Sequence, residues 1–315
     1  MQSSHHDHPL APGHHHGHQH AHGVTARRGR AFALGAAINL TFVVAQVGFG
    51  LAANSMALLA DAAHNFADVL ALLLAWGAAS LMSKPPTRRR TYGWGRSSIL
   101  AALSNAMVLL IGIGAIGLEA LHRLLAPAPV ATLTVMVVAA IGIVVNGGSA
   151  LLFLRDRAHD LNVRAQFLHL AADAAISAGV VVAAAAIQVT GWFWLDPLAS
   201  LAIVAAIVAS TWGVLRQSVD LAMDAVPTGV SHDHVQAWLA GLPGVVEVHD
   251  LHIWALSTTE TALTAHLVYA GDTGDRRLHD LADELGRRFG IGHATLQIES
   301  DADAALCRLR PNDVV

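Results

Sequence analysis

The sequence predicts a multi-pass α-helical membrane protein with six transmembrane helices and a C-terminal cytoplasmic α+β domain. Three observations predict it. The 315 residues are 54% hydrophobic and only 13% charged, with a mean hydropathy of +0.49, a balance foreign to soluble domains. The apolar residues gather into six runs, each near or above the ~20 residues that span a bilayer. After Asp224-Ala225-Val226-Pro227 the pattern turns to amphipathic helices and alternating strands. The single cysteine, Cys307, excludes internal disulfides and a Cys-rich zinc finger.

Residues 1–26 hold His5-His6-Asp7-His8 and His14-His15-His16-Gly17-His18-Gln19-His20-Ala21-His22. Polar, Gly-bearing and aperiodic, this tract is expected to be a disordered cytoplasmic arm. It reads as a loose metal collector, or more blandly as a solvated tail or purification tag; the interruptions by Asp, Gly, Gln and Ala argue against a tag. No charged region leads directly into an apolar stretch and cleavage site, so no signal peptide is expected.

Residues 27–226 form the expected membrane domain, with spans at Ala31–Ala53, Met56–Met82, Ile99–Leu121, Val130–Leu154, Ala165–Val189 and Leu195–Val219. Gly191-Trp192-Phe193-Trp194 is an aromatic turn of the interfacial kind. Six spans put both termini on one side. Arg27, Arg28, Arg30, Lys84, Arg88, Arg89, Arg90, Arg96, Arg155, Arg157, Arg164 and Arg216 all fall on that side, and Arg123 nearly alone on the other. The positive-inside rule therefore predicts cytoplasmic termini, and the expected location is the cell's inner membrane.

Residues 227–315 form the expected soluble domain. Ser231 is placed to cap a helix reaching Ala240. Val245–Trp254 and Thr261–Tyr269 are β-branched and alternating. Leu278, Leu281, Leu285 and Phe289 mark a helix over Arg276–Phe289, and Ala294–Glu299 is a third strand. The order α-β-β-α-β predicts two layers. At fewer than 90 residues the domain is small, and dimerisation would help it.

Polar residues at membrane depth are costly and face a cavity or one another. Leu59-Ala60-Asp61-Ala62-Ala63-His64-Asn65-Phe66-Ala67-Asp68 places Asp61, His64 and Asp68 on one helical face, at i, i+3 and i+7. Gln166, His169 and Asp173 repeat that spacing. The bland reading is two His–Asp pairs gluing helices together. Two imidazoles and two carboxylates also make four N/O ligands, the number zinc prefers, and one ion would satisfy all four groups at once. Asn39, Gln46, Asn105 and Asn146 read as interhelical hydrogen-bond glue. Asp196-Pro197 reads as the cap of the sixth span, and Gly147-Gly148 as a site of close helix packing.

In the soluble domain, His249, His252, His266, His279 and His293 with Glu299 admit a second metal site, beside the bland reading of solvated imidazoles. By strand alternation His249 and His252 are expected on opposite faces.

These residues resemble the zinc-transporting branch of the cation diffusion facilitator family. The resemblance covers nearly the whole chain after the His-rich arm. It rests on Ser55-Met56-Ala57-Leu58-Leu59-Ala60-Asp61-Ala62-Ala63-His64 with Asp68, Tyr92-Gly93-Trp94, and Leu161-Asn162-Val163-Arg164-Ala165 leading to His169 and Asp173. Val248-His249-Asp250-Leu251-His252-Ile253-Trp254 and Ala265-His266 extend it. It implies that His64, Asp68, His169 and Asp173 are transport ligands for Zn2+. It further implies a homodimer whose cytoplasmic domains, metallochaperone-like in fold, bind regulatory zinc through His249, His266, His293 and Glu299. Two departures stand out. Gly95 occupies a position where relatives carry His, with Ser98 near a position they make acidic, and Gln46 stands where an acidic residue is expected.

The expected function is export of cytoplasmic Zn2+ in exchange for H+, with Cd2+ and Co2+ as other candidate ions. A membrane zinc sensor that does not transport, and a passive channel, are the rivals. No enzyme is expected: zinc proteases use His-Glu-x-x-His, which is missing, as are a nucleophile elbow and a phosphate loop. The expected partners are Zn2+, H+, the lipid bilayer and a second copy, with no nucleic acid.

Overall fold

The computed structural model describes residues 37, 39–154, 161–270 and 276–310. The His-rich arm, Arg27, Arg28, Arg30, the start of the first span, Arg155 and Arg157 lie outside the described residues. The helices are α1 (Asn39–Ala52), α2 (Met56–Met82), α3 (Ser97–Leu125), α4 (Thr132–Phe153), α5 (Leu161–Thr190) and α6 (Leu195–Ala222). Helices α2 to α6 are long and apolar enough to cross a membrane, and α1 is shorter over its described length. Outward residues such as Val44, Ile111, Leu118, Val144 and Val182 are large, apolar and exposed, as a lipid-facing surface requires. Inward, Ala57, Leu58, Ala60, Ile113, Val135, Ala139, Val180, Ala184 and Ile207 form one core.

α2 packs on α3 and α6, and α4 packs on α5. The close approach of α4 to α5 depends on Gly142 and not on the Gly147-Gly148 pair, where a Cβ at Gly148 would meet nothing within 4 Å. A Cβ at Gly142 would meet Ser177 Oγ at 2.9 Å, whereas one at Gly147 would meet only Ala174 Cβ at 3.9 Å.

Asp196 departs from expectation. The N-cap of α6 is Trp194, and Asp196 caps α2 from across the bundle. Its carboxylate accepts from Ser55 Oγ at 2.5 Å and from the Met56 and Ala57 amides at 2.6 and 3.4 Å. Helix N-termini expose unpaired amides and partial positive charge, so a buried carboxylate is stabilised there. The Ser55 hydroxyl also accepts from the Leu58 amide, making a second cap.

The C-terminal domain runs α7 (His232–Ala240), β1 (Val245–Ala255), β2 (Thr261–Tyr269), α8 (Arg276–Phe289), β3 (Ile291–Glu299) and α9 (Asp301–Ala304). Ser231 caps α7 by accepting from the His234 amide. The sheet order is β1-β2-β3, antiparallel then parallel. Strand β3 starts three residues before the predicted Ala294. One face packs Val248, Leu251, Ile253, Leu263, Ala265, Leu267 and Ile298 against Val235, Leu239 and Leu285 of the helices.

The other face collects the polar residues. His249 pairs with His266, and His252 with Thr264, across a register shift. Directly opposed residues project from the same face, and Thr264 and His266 are two apart on β2. His249 and His252 therefore share a face, contrary to the alternation argument. The cause is a bulge at Asp250, whose φ is 50°, because one extra residue inverts the alternation beyond it.

Two candidate metal sites

The first cluster forms where α2 and α5 meet. His64 Nε2 lies 3.0 Å from Asp173 Oδ1, and His169 Nε2 lies 3.4 Å from Asp68 Oδ2 and 3.6 Å from Asp173 Oδ2. The two imidazoles sit edge to face with centroids 6.1 Å apart. One ligand atom each of His64, Asp68 and Asp173 falls within 4.8 Å of the others. His169 joins through its contacts to both carboxylates. All four predicted residues are thus brought together. His64 Nδ1 is buried with no hydrogen-bond partner among the described residues.

The pairing runs antiparallel, with His64 against Asp173 and Asp68 against His169. The repeated spacing therefore does not stack like on like. Asp61 falls at one end of the cluster, and Gln166 at the other, where it is exposed. Asp61 is fully buried. Its Oδ2 accepts from Gln46 Nε2 at 2.6 Å and from Ser177 Oγ at 3.1 Å, and Asn65 Nδ2 donates to Gln46 Oε1 at 3.1 Å. Gln46 acts as the glue predicted for it. Asn105 Oδ1 and Asn146 Nδ2 are instead buried without a partner among the described residues, and Asn39 is exposed. Nothing in the spacing around Ser177 flagged it; only the fold sets its hydroxyl against α2.

Exposure rises along the cluster. The side chains of Asp173 and His64 are 3% and 16% exposed, and those of Asp68 and His169 are 37% and 42%. The site thus opens toward the end of α2 that leads into the basic 84–96 loop, and the Asp61 network closes its other end.

The second cluster lies on the polar face of the sheet. His249 Nε2 is 3.3 Å from Glu299 Oε2, and His266 Nδ1 is 3.0 Å from Glu299 Oε1. The two rings meet edge to face at 5.1 Å. Asp250 reaches His252 Nε2 at 2.8 Å and His266 Nε2 at 3.4 Å. Despite the His249–Glu299 contact, both ring nitrogens of His249 and Glu299 Oε2 are buried and make no hydrogen bond among the described residues. Buried donors and acceptors left this way are expensive; a cation between His249, His266 and Glu299 would take one His249 nitrogen and the Glu299 oxygen, so the residues present fit a metal ion.

Of the predicted set, His293 is not brought to the others within this chain. It shares the face but pairs with Ala262, while Glu299 pairs with Val268. Six residues of strand separate them, about 20 Å at ~3.3 Å per residue. Its ring instead meets Tyr92 of the 84–96 loop, with centroids 5.5 Å apart. His279 is exposed on α8. Sequence reasoning missed Asp250 and Cys307 Sγ, the latter 3.6 Å from His266 Nδ1.

The 84–96 loop also meets the C-terminal domain through Gly95. A Cβ there would lie 2.6 Å from the Leu256 carbonyl oxygen, which gives a steric reason for the missing His. The Ser98 hydroxyl accepts from the Thr258 amide at 3.0 Å.

Comparison with known proteins agrees with this architecture. Residues 33–221 match the family model described as the cation efflux transmembrane domain, and residues 227–301 match the cation efflux protein cytoplasmic domain. The chain is 35% identical over 298 residues to the metal cation efflux system protein CzcD of Cupriavidus metallidurans, covering 92% of this chain and 93% of that protein. It is 33% identical to a cadmium, cobalt and zinc/H(+)-K(+) antiporter of Bacillus subtilis, covering 82% and 86%. It is 32% identical to the zinc transporter ZitB of Escherichia coli, covering 91% and 92%. A solved metal-bound C-terminal domain of CzcD is 36% identical and covers 22% of this chain and 99% of that one, with a TM-score of 0.21.

Proposed function

Because the chain belongs to the cation efflux family of membrane transporters, we propose that it exports Zn2+ from the cytoplasm in exchange for protons, without enzymatic catalysis. His64, Asp68, His169 and Asp173 carry the ion in transit. The observation that carries this reading is the meeting of two imidazoles and two carboxylates from α2 and α5 inside an apolar bundle. The relatives named as zinc transporter and as cadmium, cobalt and zinc antiporter support the choice of ion and of coupling.

The exposure gradient supports the direction. An ion arriving from the basic-loop side meets half-exposed Asp68 and His169 first, then buried His64 and Asp173. Neutral imidazole and ionised carboxylate bind metal, whereas their protonated forms do not. Histidine changes state near physiological pH, so protons entering from the opposite side displace the ion and reload the site. Rocking of one helix group against another about this site exchanges its access.

The positive-inside pattern supports an inner-membrane location with both termini in the cytoplasm. The cytoplasmic-domain match and the small size of that domain support a homodimer. Ions held by the paired domains act on transport by favouring one arrangement of the dimer.

The test is flux in reconstituted vesicles. Zn2+ uptake should run on an imposed proton gradient, stop with a protonophore, and vanish in Asp68→Ala and His169→Ala. Uptake that persists in both variants overturns the site assignment. Tight Zn2+ binding with no flux would make the protein a sensor, and gradient-independent flux would make it a channel.

A further inference from the structure

The polar face of the C-terminal sheet is bare of α7 and α8, and the last described stretch of chain lies over it. Helix α9 packs on β2 and β3, with Ala304 only 1% exposed. The Leu306 and Cys307 amides then donate back to the Asp303 and Ala304 carbonyls, forming turns. Arg310 returns to β1 and donates to Glu247 at 3.1 and 2.7 Å. This path sets Cys307 Sγ over His266. One ligand atom of each of His249, His266, Glu299 and Cys307 lies within 4.8 Å of every other.

Proximity of a thiol alone would decide nothing. The second observation is the polar set beneath it: both nitrogens of the 2% exposed His249, and Glu299 Oε2, make no hydrogen bond among the described residues, and His249 Nε2 has only the 3.3 Å ion-pair contact with Glu299 Oε2.

We propose that Cys307 is the fourth ligand of a cation site with His249, His266 and Glu299, and that the bound ion pins residues 300–310 to the sheet as a strap. Two imidazoles, a carboxylate and a thiolate complete the four-ligand shell of a closed zinc site. The thiolate biases that shell toward Zn2+ and Cd2+ over Mg2+ and Mn2+. The thiol proton passes to solvent as the metal–sulfur bond forms. The strap thereby couples ion binding to the order of the C-terminal segment, a coupling that a site completed by His293 would lack. The inference rests on the reading of the C-terminal domain as metal-binding, and is independent of the transport site.

The test uses the full-length protein in detergent, with Co2+ as the probe. A thiolate-to-cobalt charge-transfer band should appear in the near ultraviolet. It should survive in a His64→Ala/His169→Ala variant and be absent from Cys307→Ser. Because the chain has one cysteine, the band reports this residue alone. Maleimide labelling of Cys307 should be slowed by Zn2+, because a metal-bound thiolate is withdrawn from attack. That protection should persist in His293→Ala and be lost in His249→Ala, or in His266→Ala if the buried-site variant does not fold. No band in the unmodified protein, labelling indifferent to Zn2+, or protection that depends on His293 would each overturn the proposal. Loss of proton-coupled flux with the band intact would instead count against the transport reading.

Discussion

Asp173 is the side chain on which the transport site turns. It is 3% exposed and the only one of the four that touches both imidazoles, at 3.0 Å to His64 and 3.6 Å to His169. Asp68 is 37% exposed and contacts His169 alone, at 3.4 Å. A carboxylate that only orients a metal-bound imidazole is worth about tenfold in metal affinity at the low end of its range, and one that also binds the ion is worth at least that. Asp173→Asn loosens two imidazoles and should weaken Zn2+ binding at least ~100-fold, or about 2.8 kcal/mol at 1.4 kcal/mol per decade. Asp68→Asn loosens one and should cost about tenfold, or ~1.4 kcal/mol. The assay is competition of each variant against a chromophoric chelator, with Cys307→Ser as background so that the C-terminal domain contributes less to the titration. Both variants should also lose flux. Equal losses of affinity, or a greater loss for Asp68→Asn, would refute the idea that the buried bridging carboxylate organises the site.

Three other perturbations probe what surrounds it. Asp196→Ala strips the Met56 and Ala57 amides and the Ser55 hydroxyl of their acceptor and should cost about 1–3 kcal/mol, read as a lower unfolding temperature in detergent. Asp196→Asn, which keeps an acceptor, should lose less. Gln46→Leu removes a donor from Asp61 and an acceptor from Asn65. It should destabilise by a similar ~1–3 kcal/mol and slow flux while leaving Zn2+ affinity within a few-fold, because neither group touches the ion. Gly95→Ala forces a Cβ to within 2.6 Å of the Leu256 carbonyl. It should cost about 1–3 kcal/mol as overpacking and increase amide exchange at Thr258, whose N–H bonds Ser98.

Much of this molecule was legible in the chain because the signals were local. Apolar run length follows from bilayer thickness, so α2 to α6 were readable. The i, i+4 spacing of His64 with Asp68, and of His169 with Asp173, follows from helix pitch alone. The Ser231 cap and the β1 and β2 strands came from equally short-range rules. What failed were inferences carried past one element. Strand alternation set His249 and His252 on opposite faces until the Asp250 bulge turned one of them over. Asp196 had the right chemistry for a cap, and the bundle gave it another helix to cap.

Composition, span count, the His–Asp faces and the family were determined by the sequence itself, since each depends on neighbours within a few turns or on pattern. Tertiary structure alone decided the antiparallel meeting of α2 with α5, which puts Asp61 behind the site and Gln166 at its mouth. It also decided that Cys307, and not His293, lies near His249 within this chain. Both are matters of register between segments far apart in the chain, and register is set by packing, which no local spacing encodes.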